Sequence, residues 1–124
     1  VLSLGGEGLI AESFGPVGDP TAQLLHRCGL AYLSDDLPTD AVVNAYPALR
    51  DRPDGERHIF SASLDHTVWF HRPMASDEWH LHDFTRHSYT AGRGLASGHV
   101  FALNGTHVAT VAQEVLLRDA SQRA

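Results

Sequence analysis

The sequence is short of cysteine, methionine and positive charge. A single cysteine, Cys28, rules out an intrachain disulfide and with it a disulfide-stapled scaffold. Nine Lys and Arg stand against fifteen Asp and Glu, a formal charge of −6, and no basic run stands out. A nucleic-acid partner is therefore not expected. No run approaches the roughly 18 apolar residues of a membrane span. The opening VLSLGGEGLI has no basic n-region and no long apolar core, so it does not read as a secretory signal. It also has no initiator Met, which suits a processed form or one part of something longer. With no signal and one thiol, the expected location is cytoplasmic.

What is present is a globular composition, 43% hydrophobic over 124 residues, enough for one domain. Residues 1–19 are Gly-rich, with room for one short strand near Leu9–Phe14 and a GPVGDP loop. Asp19-Pro20 reads as a helix N-cap followed by Pro at the first helical position. Leu24, Cys28, Ala31 and Asp35 then recur at helical spacing, with Leu25 and Tyr32 widening the stripe. Pro38 is expected to end that helix near Asp36. Residues 40–58 read as a loop, with a possible short apolar turn at its start and a turn at Pro53-Asp54-Gly55. Four strands follow, at Ile59–His71, Trp79–Tyr89, Gly94–Leu103 and Thr106–Leu117. Asn104-Gly105 signals a two-residue hairpin between the last two. One long helix and a mostly antiparallel sheet give an α+β class. Strands this long leave an open edge, so a second copy or sister domain is expected beside them.

Three polar residues fall where the pattern should be apolar. Asp35 sits in line with the helix stripe, although a frayed helix end would return it to solvent. Gln113 shares a strand face with Ala109, Val111, Val115 and Leu117, where its amide needs a partner, catalytic or merely structural. Ser63 lies in SASLDHTVWFHRP, whose alternation puts Ser61, Ser63, Asp65, Thr67, Trp69 and His71 on one face and His66 on the other. No G-x-S-x-G elbow surrounds Ser63. Asp65 and His66, as strand neighbours, point apart and form no acid–base pair; Asp65 is expected to bond backbone. The nine histidines include His80-x-His82, but no HExxH or Cys/His cluster accompanies them, so no metal is expected and solvated or capping roles are the better reading. Gly92-Arg93-Gly94 is too short for a dinucleotide fingerprint, and Arg93 reads as a solvated side chain unless it meets a phosphate.

The segments SLDHTVWFHRPMASDEW and GRGLASGHVFALNGTHVATVAQEVLLR closely resemble the C-terminal hotdog domain of the acyl-CoA thioesterase II family, and AYLSDDL (31–37) resembles its helix-end segment. The resemblance covers about residues 20–119, with 1–19 poorly placed, and it implies a single hotdog domain over 1–124. The fold it implies is a long central helix wrapped by an antiparallel sheet, paired with a second hotdog in the same chain or in a homo-oligomer. The activity it implies is hydrolysis of fatty acyl-CoA to free acid and CoA, without a cofactor. The family's Asp, Thr or Ser, and Gln carry over to Asp35, Ser63 (where many relatives have Thr) and Gln113; a slip of one residue would make the carboxylate Asp36. The expected mechanism is a water held by these three groups. The competing readings are a non-catalytic acyl-CoA-binding half that needs a partner, and a hotdog enoyl-CoA hydratase.

Overall fold

The computed structural model describes residues 2–4, 15–46 and 59–119. The elements run β1 (Leu2–Leu4), α1 (Pro20–Leu33), α2 (Leu37–Ala45), β2 (Ile59–Ser63), β3 (Thr67–Phe70), β4 (His80–Thr90), β5 (Arg93–Ala102) and β6 (His107–Asp119). The strands form one antiparallel sheet in the order β1-β4-β5-β6-β2, with β3 also pairing β6. The long helix lies over this sheet as expected of a hotdog fold. The expected strand at Leu9–Phe14 and the turn at Pro53–Gly55 lie outside the described residues.

Asp19 does cap α1, its carboxylate accepting from the Thr21 and Ala22 amides at 2.7 and 3.1 Å. The buried face of the helix is not the expected one. Leu24 is 61% exposed and Tyr32 76%, and Leu25 and Cys28 are exposed too. Ala22, Gln23, His26 and Leu30 are buried instead. Two of these are polar, which hid the face from an apolar count. They are buried because the loop after β3 needs them. Gln23 and Met74 exchange two hydrogen bonds, Gln23 Nε2 donating to the Met74 carbonyl at 3.0 Å and the Met74 amide to Gln23 Oε1 at 3.2 Å. His26 Nδ1 accepts from the Ser76 amide at 3.1 Å, which leaves Nε2–H to donate to the Gly15 carbonyl at 3.2 Å.

Pro38 ends nothing. The first helix stops at Leu33, and Pro38 stands in the first turn of a second helix that sequence reading took for loop. Helix α2 buries Leu37, Pro38, Val42 and Val43. Val42 and Val43 pack with Ala96, Val115 and Leu117, while Leu30 of α1 packs with Met74, Val100, Val108, Ala109 and Val111. Strand β5 makes room for both neighbours by omitting side chains. A Cβ on Gly94 would meet Val42 Cγ1 at 2.5 Å, and one on Gly98 would meet the Asp83 carbonyl oxygen at 2.3 Å and Phe84 Cα at 2.8 Å. A Val side chain has some freedom to move, but the β4 backbone has none. We expect Gly98→Ala to destabilise the domain by about 2 kcal/mol or more, read as a lower urea midpoint at unchanged slope.

Two connections depart from expectation. The Asn104-Gly105 turn is a three-residue loop. The Ala102 amide bonds the Thr106 carbonyl at 2.9 Å, Gly105 takes φ +85°, and the strand register slips between Val100 and Phe101. The expected single strand Ile59–His71 is two strands. Ser63 pairs with Val115 and Thr67 with Ala112, so four steps on one side match three on the other. The extra residue is a bulge.

Candidate active site

The bulge decides which side chains reach the interior. Paired residues in a ladder share a face, and Ser63 pairs with buried Val115. Beyond the bulge the parity flips, so Val68 and Phe70, opposite buried Val111 and Ala109, turn inward as well. Uninterrupted alternation would have put Ser63 and Val68 on opposite faces. The bulge itself is tied down by Asp65, whose carboxylate accepts the Glu114 amide at 2.8 Å, and by the Leu64 amide donating to the Glu114 carbonyl at 2.9 Å. Asp65 is thus a backbone-bonding residue.

The three predicted site residues meet. Ser63 Oγ donates to Asp35 Oδ1 at 2.8 Å. Gln113 Nε2 donates to Ser63 Oγ at 2.9 Å and to the Asp35 backbone carbonyl at 2.9 Å. Gln113 is fully buried on β6, and its Cα lies in the row of Val111, Val115 and Leu117 as the pattern required. Asp35 does not reach the site from a buried helix stripe. It follows Ser34, the C-cap of α1, in the short turn to α2, and its side chain is 47% exposed. Asp35, not Asp36, makes the bond to Ser63. Asp36 instead lines an open groove of about 340 Å³ with Thr39, Asp40, Ser61, Ala62 and Ser63. The site therefore has a carboxylate with one oxygen held by Ser63, a hydroxyl with a spare lone pair, and a cleft beside them.

A fourth residue was missed. His66 Nδ1 meets Gln113 Oε1, and its Nε2 meets Ser34 Oγ at 3.0 Å. Alternation set His66 opposite Ser63; the bulge brings the two into one cluster. Its position directly after Asp65, the residue that closes the bulge, was the available signal.

The other histidines do different work. His80 and His82 are not solvated: both are buried on β4. Burial, reinforced by the His80 ring, lowers the His82 pKa to about 4, and burial likewise lowers that of His80. His71 and His99 are exposed beside half-buried His107, on the outer sheet face. Their three rings converge on Thr110 Oγ1, at 2.8, 3.4 and 3.1 Å, so a hydroxyl fills the space between them. Among the described residues no group of three His, Cys, Asp or Glu side chains is placed to hold a metal ion. Arg93 lies 3.6 Å from Glu114 Oε2 on the surface.

A family model for acyl-CoA thioesterase matches residues 16–116, which include Asp35, Ser63, His66 and Gln113. The chain belongs to the acyl-CoA thioesterase family. It is 36% identical over 96 residues to acyl-CoA thioesterase 2 of Haemophilus influenzae, covering 76% of this chain and 32% of that protein. It is 33% identical to acyl-coenzyme A thioesterase 8 of Mus musculus, covering 76% of this chain and 28% of the mouse protein. The crystal structure of an acyl-CoA thioesterase II, TesB2, from Mycobacterium marinum superimposes with a TM-score of 0.67 at 38% identity, over 82% of this chain and 36% of that one. A Bacillus halodurans protein, BH2602, crystallised with CoA, shares the fold at 17% identity and a TM-score of 0.61, over 85% of this chain and 63% of that one. The chain thus spans about a third of the length of the curated relatives it matches. Among the described residues no helix is long and apolar enough to cross a membrane.

Proposed function

We propose that this domain hydrolyses fatty acyl-CoA thioesters to free acid and CoA, with Asp35 as general base. The observation that carries the reading is the hydrogen-bonded set Asp35–Ser63–Gln113 inside the family-matched region. Both Gln113 N–H groups are used, one on Ser63 and one on the Asp35 backbone. Ser63 spends its own proton on Asp35 Oδ1. The attacking water then gives one proton's hydrogen bond to Asp35 Oδ2 and the other to the remaining lone pair of Ser63. Its own lone pair faces the thioester carbonyl. As the water's oxygen bonds to that carbon, its proton passes to Asp35, the C–S bond breaks, and CoA leaves as thiolate. Gln113 keeps Ser63 and the Asp35 backbone in register.

The productive unit is a pair of hotdogs, the second supplied by a further domain or a second copy. The exposed apolar face of α1, carried by Leu24, Leu25 and Tyr32, supports this, as does the length of the relatives. An enoyl-CoA hydratase would need a free Asp–His couple. His66 Nδ1 lies 4.0 Å from Asp35 Oδ1, but both ring nitrogens are already engaged, by Gln113 and Ser34.

The test is free-thiol release from a medium-chain acyl-CoA, with crotonyl-CoA assayed for hydration in parallel. Hydrolysis is expected, with no hydration. Gln113→Ala should lower turnover at least tenfold, on the order of one lost positioning contact or more. Binding of the CoA ester without hydrolysis, in an assembly of confirmed size, would replace this reading with a non-catalytic acyl-CoA-binding half.

A further inference from the structure

We infer that His66 is a positioning residue, resting on the thioesterase reading above: it sets the orientation of the Gln113 amide and ties it to the end of α1. The argument begins with the one group whose role is unambiguous. The Asp35 backbone carbonyl can only accept, so the Gln113 atom 2.9 Å from it is the amide nitrogen. The opposite end of the amide, Oε1, is then the atom that faces His66 Nδ1. An amide oxygen cannot donate, so Nδ1 carries the proton. Nε2 is left to face Ser34 Oγ at 3.0 Å, and Ser34 is itself buried at the C-cap of α1.

The result is a closed ring of contacts. Ser34 holds His66, His66 holds Gln113, Gln113 holds the backbone of Asp35, and Asp35 follows Ser34 in the chain. The Gln113 amide reads in one direction only, carbonyl to His66 and N–H groups to Ser63 and Asp35. Without His66, a fully buried carbonyl oxygen loses its donor. The amide then relieves the loss by tilting or flipping. A flip sets Oε1 against the Asp35 carbonyl and takes the donor away from Ser63. The direct hydrogen bond to the catalytic set runs through Gln113, at full burial, while the Asp35 carboxylate stands off at 4.0 Å and neither ring nitrogen is free to touch a substrate.

The test compares His66→Leu, which removes the ring donor, with His66→Asn, whose side-chain amide nitrogen stands near the place of Nδ1. Two readouts are taken on the folded chain. The first is the Gln113 side-chain amide pair in 15N–1H spectra, which needs no activity. It is expected to shift and exchange faster in His66→Leu and to stay near its native position in His66→Asn. The second is turnover of a medium-chain acyl-CoA. His66→Leu should lower kcat about 10- to 100-fold with KM within about twofold, and His66→Asn should recover to within about fivefold of the native chain. In a Gln113→Ala background, His66→Leu should cost less than about twofold further. A Gln113 amide pair that does not respond to His66→Leu overturns the inference, whatever the activity. So do independent, multiplying losses in the double variant. A loosened amide pair in a chain that never cleaves acyl-CoA leaves His66 as the group that orients Gln113 and removes the thioesterase reading instead.

Discussion

Asp35→Asn is expected to lower kcat for acyl-CoA hydrolysis by roughly 10²–10⁴-fold, the range of a lost general base, while KM stays nearly constant; a loss below tenfold would not fit that role. The substitution is chosen for what it keeps. An Asn oxygen at the Oδ1 position still accepts the hydrogen bond that Ser63 Oγ donates at 2.8 Å in the native site. The Gln113 contact is to the backbone of residue 35 and is indifferent to the side chain. The side chain is about half exposed, so the loss of its charge removes no buried ion pair. Stability should therefore move by less than about 0.5 kcal/mol, as at other surface positions. Only the ability to take a proton is gone. A loss confined to kcat separates a group that acts in the transition state from one that binds substrate. Equal turnover in the native chain and the variant would take the base away from Asp35. The next carboxylate to test would then be Asp36, which lines the groove beside Ser63. Ser63→Ala supplies a second reading. It leaves the carboxylate but frees Oδ1 and removes one acceptor for the water, so a smaller loss than that of Asp35→Asn is expected.

How much of this was legible in the sequence depends on what kind of rule each part obeys. The strands β4, β5 and β6 follow period-two patterning and came out within one or two residues of expectation. Gln113 was found for the same reason: one polar side chain in an apolar row is visible by contrast. The helix face was not, because the buried row of α1 contains Gln23 and His26, and their partners are backbone groups of a loop some fifty residues away. Hydrophobic periodicity has no access to a hydrogen bond of that separation. Helix α2 was lost to Pro38, which reads equally as the end of one helix or the first turn of the next. The bulge after Ser63 was the costliest miss. A strand read without its partner has no register, and one extra residue reverses the face of everything beyond it. His66 was therefore placed away from the cluster, although Asp35, Ser63 and Gln113 were all singled out. Asp35 was reached by spacing along the stripe, yet it stands in a turn; it meets Ser63, but not by the geometry offered for it.

Stability should fall steeply on acidification, and His82 should account for much of the fall. The ring is 1% exposed on the inner face of β4, opposite Val100, and stacks against Phe84 with ring centres 6.1 Å apart. Its Nδ1 is buried with no hydrogen-bond partner. Burial holds its pKa at about 4 against an ordinary 6.5, with His80 adding repulsion. His80 is displaced in the same direction by burial, partly offset by Glu78 and Asp77. The sign follows from proton counts. Below pH 6.5 the unfolded chain binds a proton at His82 that the folded chain refuses until about pH 4, so unfolding gains as pH falls through that window. The full difference is about 3 kcal/mol, and most of it is lost by about pH 4.5. Above pH 6.5 neither state is protonated there and the contribution is flat. His82→Phe removes the titrating group and keeps a ring in an apolar setting beside Phe84. The expected result is a urea midpoint that changes much less between pH 7 and pH 4.5 in the variant than in the native chain. Parallel lines for the two would assign the acid loss to other groups and leave His82 protonated, or hydrated, in the native fold.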